Sequence, residues 1–273
     1  MPEGPEVRRA ADEIADRLQG QVLESVVFDI KRLVPRASDL EGKKIEALET
    51  FGKATVTHIE GGLHIYSHNM LYGKWILVRA GEKPRTKKTP KMELHTADYS
   101  LLLYSTNSID ILHTEDLPEH KYLSKLGPDV LSDGFSQEDV VKLLESSTWS
   151  SKPVGTTLID QSFVAGIGNY LRCEILLRSY LHYTRTPADM TREEIDALAK
   201  NILDVSRASY EAGGATAGNY LTLPDGESAD FDNFTFGVYK QEGKPCPQCG
   251  TSVEVVDYQN RKVYYCPTCQ KEG

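Results

Sequence analysis

The chain has 273 residues, 40% of them apolar, and carries 31 basic against 40 acidic side chains for a formal net charge of −9. That length suffices for more than one compact unit. No apolar run approaches the ~20 residues of a membrane span, and the acidic first turn lacks the apolar stretch of a secretory signal, so a cytoplasmic protein is expected. The acidic total excludes indiscriminate polyanion binding, whereas a local basic face can still dock nucleic acid.

The chain opens Met-Pro-Glu-Gly-Pro-Glu. Pro5 suits the first position of a helix and Glu3 and Glu6 its positive end. Val7, Ala10, Ala11, Ile14 and Leu18 then make one apolar face before Gly20. The same stretch has a chemical reading. A small Pro2 is left at the terminus once the initiator methionine is removed, and its nitrogen is then a secondary amine. Short β-branched runs follow at 22–30, 44–50, 54–59, 62–68, 74–80, 92–105 (with a turn near Asp98) and 108–112, which predicts an antiparallel sandwich or barrel. Lys53 follows Gly52 between two runs, where a lysine is ordinarily solvated. Met70, Leu71 and Tyr72 stand at a strand end, either as core or as a wedge for a base stack. His64 and His68 share a strand face with no third metal ligand nearby, and read as ordinary strand histidines. Residues 82–91, EKPRTKKTPK, hold five basic side chains against one acidic one. They read as a solvated hairpin tip, with phosphate contact as the alternative.

Beyond about residue 116 the pattern becomes helical. Ser136 opens a capped amphipathic helix, and 156–164 and 169–179 are two more, separated by Ala165-Gly166-Ile167-Gly168. Thr191 and Glu194 form a capping box for a long helix that runs out near Gly213-Gly214. Gly168 and Asn169 lie at the mouth of a helix, where unpaired N–H groups suit an anion, although a tight turn uses glycine for purely steric reasons. Cys173 reads as a small core residue. Residues 212–233 are rich in Gly, Asp and small side chains and read as a flexible connection. Cys246, Cys249, Cys266 and Cys269 form two Cys-x-x-Cys knuckles sixteen residues apart, a zinc pattern of a reduced compartment, with a disulfide pair as the alternative. Between the knuckles two strand-like pieces flank Gln259-Asn260. Arg261 lies just past that turn, either held out by a stiff hairpin or merely solubilising its tip.

These segments together resemble the formamidopyrimidine-DNA glycosylase and endonuclease VIII family over essentially the whole chain. The resemblance rests on PEGPE, Phe51-Gly-Lys53, SHNMLYG, LGPDVL at 126–131, LIDQSFVAGIGNYLRCEIL and the CPQCG…NRKVYYCPTCQ terminus. LYGKW after SHN and the zinc hairpin look closer to the endonuclease VIII branch, which acts mainly on oxidised pyrimidines. The resemblance implies a multidomain α+β fold. A catalytic β-sandwich with the N-terminal helix would span 2–115, a hinge 116–150, a helix–two-turns–helix domain with its loop 151–233, and a β-hairpin zinc finger 234–273. It also implies one structural Zn2+ on the four cysteines, and a monomer that acts on double-stranded DNA containing oxidised bases or abasic sites, away from membranes.

The implied activity is that of a bifunctional DNA glycosylase and AP lyase of base excision repair. Pro2 would be the nucleophile, Glu3 the proton handler at the sugar, and Glu6 a support that orients the terminus. Lys53 resembles the lysine that donates a proton and holds the phosphate during β-elimination, and Arg261 the finger arginine that assists δ-elimination. Gly168 and Asn169 would hold the damaged strand, as would Lys125, which stands where an arginine is common and offers a point charge in place of a fork. Met70, Leu71 and Tyr72 would fill the gap left by the extruded nucleotide. The usual glutamine before Leu-Tyr is replaced here by Met70, which cannot hydrogen-bond the orphaned base. Two other readings remain: an oxidised-purine glycosylase of the same family, and a non-catalytic zinc-ribbon module that binds DNA or protein. The PEGPE terminus speaks against the second, since binding alone has no use for a free Pro2.

Overall fold

The computed structural model of the chain describes residues 2–214, 221–224 and 235–272. Its contacts form two compact units. The first holds Pro2, Glu6–Ser124 and the described residues between Gly213 and Asn233. The second holds Glu3–Pro5, Lys125–Ala212 and the described residues beyond Phe234.

The first unit is an antiparallel sandwich. One sheet orders β2 (Ile45–Phe51), β3 (Ala54–Ile59), β4 (Leu63–His68) and β8 (Ile109–His113). The other orders β1 (Ser25–Phe28), β6 (Met92–His95), β7 (Tyr99–Tyr104), β5 (Lys74–Arg79) and β9 (Leu221–Thr222). Side chains alternate across a strand, so Ile45, Ile59, Ile65, Trp75, Leu77, Leu94, Leu101, Leu103 and Ile111 all meet in one core. Helix α1 (Gly4–Leu18) lays Val7, Ala10, Ile14 and Leu18 into the same core. The apolar face read from its sequence is therefore the face it buries. Phe51 pairs with Ala54, leaving the two-residue turn Gly52–Lys53. Gly52 has φ +60° while Lys53 stays outside the left-handed region, the pattern of a turn that matches strand twist.

In the second unit Ser136 caps α2 (Gln137–Glu145) by accepting from the Asp139 N–H, and Thr191 caps α5 (Arg192–Glu211) through Glu194. Between them α4 (Asn169–Arg178) buries every residue from Tyr170 to Leu177, as a helix surrounded by its own unit must. Two strands, β10 (Glu254–Tyr258) and β11 (Arg261–Tyr265), pair around Gln259 and Asn260. Both turn residues are left-handed, with φ +49° and +63°, as a two-residue hairpin of this twist requires.

Three expectations are corrected. The segment 82–91, expected as a hairpin tip, joins β5 to β6, which flank β7 on either side and do not pair with each other, so it is a crossover loop. The helix expected over 156–164 is only the single turn α3 (Val154–Thr157). Asp160 accepts from the Ser162 N–H at 2.9 Å, and Gln161 donates to the Ile167 carbonyl at 2.8 Å and accepts from the Gly166 N–H at 3.1 Å. These local bonds offer the backbone an alternative to the helix. The connection expected to be flexible over 212–233 contains β9, which runs parallel to β5 with Leu221 beside Trp75. Burying Leu221 to 4% exposure is what holds it there. The rest of that connection, 215–220 and 225–233, lies outside the described residues.

Candidate active site and zinc centre

Glu3 is 4% exposed although it precedes the first helix. Its carboxylate lies at the N-terminus of α4, where it accepts from the N–H of Gly168 at 2.7 Å, Tyr170 at 2.9 Å and Leu171 at 3.3 Å. These are first-turn donors that the helix cannot satisfy itself, and a negative charge suits that end of the dipole. The anion at this helix mouth is thus a side chain of the protein. The glycines of AGIG make room for it. A Cβ on Gly168 would lie 2.3 Å from the Glu3 Cδ, and one on Gly4 would lie 2.9 Å from the Gly166 Cα. The Gly4 N–H also bonds the Gly166 carbonyl at 2.8 Å. Pro2, half-buried, is one peptide bond from this anchored segment.

Asn169, expected on a phosphate, is engaged within the second unit. Its amide donates to the Lys262 carbonyl at 3.0 Å, and its oxygen accepts from the Arg172 guanidinium. Arg172 is fully buried, and it also donates to the carbonyls of Gly155 at 2.9 Å and Lys262 at 3.2 Å. Burial pulls its pKa down, and the neighbouring Arg261 charge adds to that. Asn169 and Arg172 therefore fix the root of the hairpin from which exposed Arg261 projects. Thr156 bonds Gln259 at the hairpin tip at 3.0 Å. Arg172 was not singled out in the sequence. Its signal was a charge in an otherwise apolar run, Tyr170-Leu-Arg-Cys. Lys125 ends a short turn and is exposed.

In the first unit Lys53 is half-buried on its hairpin turn. Burial and the Lys53 charge press the His68 pKa down to about 4, so His68 is neutral at physiological pH. Its Nδ1 accepts the Met70 N–H at 2.9 Å, and its own carbonyl accepts from Thr106 at 2.7 Å. His68 is thus more than an ordinary strand histidine, because it holds the turn that presents the next residues. Met70 is left-handed at φ +53°. Met70, Leu71 and Tyr72 are 53%, 51% and 75% exposed, which excludes the core reading. The turn closes through Gly73 N–H to the Asn69 carbonyl at 2.7 Å. Glu6 is fully buried, and a Cβ on left-handed Gly214 would lie 2.5 Å from its Cγ.

The four knuckle cysteines bring their sulfurs within 4.8 Å of one another. Tetrahedral Zn2+ with Zn–S bonds of about 2.3 Å needs sulfurs roughly 3.8 Å apart, so the set fits one structural ion. The Gln248 N–H points at the Cys246 Sγ at 3.4 Å and the Cys269 N–H at the Cys266 Sγ at 3.5 Å. Cys173 lies in the core beneath, with Leu177, Val253 and Val263, and burial pushes its thiol up to about 11. It is a core residue. Glu174 on the same helix accepts the N–H groups of Gly237, Val238 and Tyr239 at 2.8, 3.0 and 2.9 Å, which holds the segment that enters the zinc unit.

Comparison with known proteins places this arrangement. Residues 1–107 match the N-terminal domain of formamidopyrimidine-DNA glycosylase, 126–220 its helix–two-turns–helix domain, and 243–271 the zinc finger found in such glycosylases and in an isoleucyl-tRNA synthetase class. A solved complex of the Lactococcus lactis Fpg protein with abasic-site DNA superposes with a TM-score of 0.83 at 22% identity, covering 99% of this chain and all of that one. The chain belongs to the formamidopyrimidine-DNA glycosylase family. Within it, proteins named endonuclease 8 from Salmonella arizonae and Escherichia coli K12 are 39% and 40% identical to it, each match covering 99% of this chain and all of the relative.

Proposed function

We propose that this protein is a bifunctional DNA glycosylase and AP lyase that removes oxidised pyrimidines from double-stranded DNA and nicks the strand by β,δ-elimination. The full-length likeness to endonuclease 8 proteins supports the lesion class. The observation that carries the chemistry is the burial of Glu3 on the α4 N-terminus, because it fixes the residue next to Pro2 with three N–H donors. An enzyme that attacks with its own α-amine must hold that end of the chain still.

With the initiator methionine removed, the Pro2 nitrogen is a secondary amine whose pKa, about 7.7–8.0 for an α-amine against about 10.4 for lysine, leaves a useful unprotonated fraction at neutral pH. It bonds C1′ of the damaged deoxyribose as the C1′–N bond to the base breaks, and the base departs with the proton. The C1′–O4′ bond then breaks, with O4′ taking up a proton as the sugar ring opens, and the iminium left at C1′ acidifies the C2′ proton. Loss of that proton expels the 3′ phosphate, and a second elimination expels the 5′ phosphate. Glu3 moves protons at the sugar, which requires substrate to displace part of its N–H set. Lys53 pairs with a backbone phosphate, Arg261 with those at the lesion, and Met70, Leu71 and Tyr72 enter the vacated stack. Glu6 and Asn169 act as supports, and exposed Lys125 as a phosphate contact. The zinc ion holds the Arg261 hairpin in shape. Four zinc-binding thiolates, which need a reduced compartment, support the bacterial cytosol, and the family likeness supports a monomer.

Borohydride reduction of the iminium tests this. The parent protein, shown by mass spectrometry to begin at Pro2, becomes covalently linked to abasic-site DNA, whereas Pro2→Gly gives at least tenfold less adduct and nicking. A parent that forms no adduct removes the proposal. Turnover of thymine glycol against 8-oxoguanine duplexes separates the pyrimidine from the purine reading.

A further inference from the structure

The loop 82–91, which crosses from β5 to β6, and the sheet beneath it line a cavity of about 420 Å3 that the chemistry above does not use. Four basic side chains, Lys74, Lys83, Arg85 and Lys88, line it against one carboxylate, Glu82. Tyr72, 75% exposed, forms one wall, and buried Tyr104 lies beneath. Burial raises the Tyr104 pKa, so its hydroxyl remains a neutral donor. In a chain of net charge −9, basic residues concentrated in one short loop are a local exception. The strand that completes the cavity, β9 with Leu223 and Pro224, has no acidic side chain among its described residues. Pro84 and Pro90 stiffen the loop, which limits the entropy lost when its charges are ordered.

We infer that this cavity is a further phosphate-binding site, which seats a backbone phosphate of the DNA duplex beside the point where Tyr72 enters the stack. Basic side chains interleaved with an exposed aromatic suit a nucleic-acid backbone, and a cavity of this size admits a nucleotide-sized group rather than a folded partner. The site extends the footprint of the protein away from the Lys53 turn. The inference rests on the DNA reading above.

The test compares the full-length parent with the triple variant Lys83→Ala/Arg85→Ala/Lys88→Ala, all three exposed. Binding to a duplex with an uncleavable tetrahydrofuran abasic analogue is followed from about 50 to about 200 mM salt, a range that resolves counterion release. The salt slope of the variant falls by about one to two, and its affinity near 100 mM salt falls about tenfold. Single-turnover nicking at saturating enzyme is unchanged, since no reacting group is touched. Lys83→Arg/Lys88→Arg keeps the parent slope, which separates lost charge from lost fold. An unchanged slope and affinity in the triple variant overturns the inference. So does parent-like DNA binding accompanied by loss of an interaction with ATP or polyglutamate that the parent shows. A parent that neither binds nor nicks abasic DNA overturns instead the function proposed above, so the two failures are distinguishable.

Discussion

Among single residues Gly168 is decisive. A methyl group there would lie 2.3 Å from the Glu3 Cδ, so the carboxylate would have to leave its seat on the α4 N–H groups. Gly168→Ala is expected to lower stability by about 1–3 kcal/mol in urea unfolding, and to reduce borohydride trapping at least tenfold. A trapping rate equal to the parent's shows that Glu3 needs no fixed seat. His68 gives a pH prediction. Its imidazole is held neutral, with a folded pKa of about 4 against the ordinary 6.5. The unfolded chain therefore binds the proton more readily. Stability is fully present above pH ~6.5 and falls as pH drops toward ~4, by up to about 3 kcal/mol. His68→Gln flattens that part of the stability profile, and an unaltered profile refutes the assignment. Met70 bears on specificity. One oxidised pyrimidine presented opposite each of the four bases is expected to be cleaved with little discrimination by the parent and with more by Met70→Gln, and identical profiles remove the idea.

The same residues show what the sequence makes legible. Pro2, Glu3 and Lys53 stand out because a proline after the first methionine, a helix-start carboxylate and a lysine after a turn glycine are local patterns. The state of Asn169 is not local. Its partners, Arg172 and the Lys262 carbonyl, come from the helix itself and from a hairpin more than 90 residues away. The bond from the Met70 N–H to His68 is unreadable for a similar reason, since strand alternation tells which face a side chain takes and not what stands across from it.

At the scale of elements, α4 carries the organisation of the second unit. Its N-terminus accepts Glu3, and Glu174 farther along collects the three N–H groups of 237–239. Burial raises the Glu174 pKa, while the three backbone donors oppose that. Glu174→Gln keeps the shape but turns one end of the group into a donor facing N–H donors. A cost of about 2–3 kcal/mol is expected, together with faster zinc release to a chelator at neutral pH. Release at the parent rate shows that the segment is held by the ion alone. Strands and capped helices are read well at this scale because alternation and capping are short-range signals. The failures at 156–164 and 221–222 fall where side chains bond loop backbone or where a two-residue strand joins a distant sheet. Neither event has a period to detect.

For the whole molecule, the two units respond differently to loss of the metal. The sandwich fills its own core from both sheets and α1, whereas the zinc knuckles share their core with Cys173 and Leu177 of α4. Chelation, or Cys269→Ala, is expected to expose the segment 235–272 and part of α4 to protease, leaving 21–113 protected. A single cooperative loss of all protected fragments contradicts this division.

The bond from Gly168 to Glu3 joins residues 165 positions apart. A ribosome releases the amino end first, but the seat for that end exists only after α4 has left the exit tunnel. During this interval the first residues are an unanchored tail, open to the peptidases that trim an initiator. The chemistry proposed above needs a trimmed terminus, and on that reading trimming belongs to the time of synthesis: slowing it relative to translation is expected to yield folded molecules that carry an untrimmed cap.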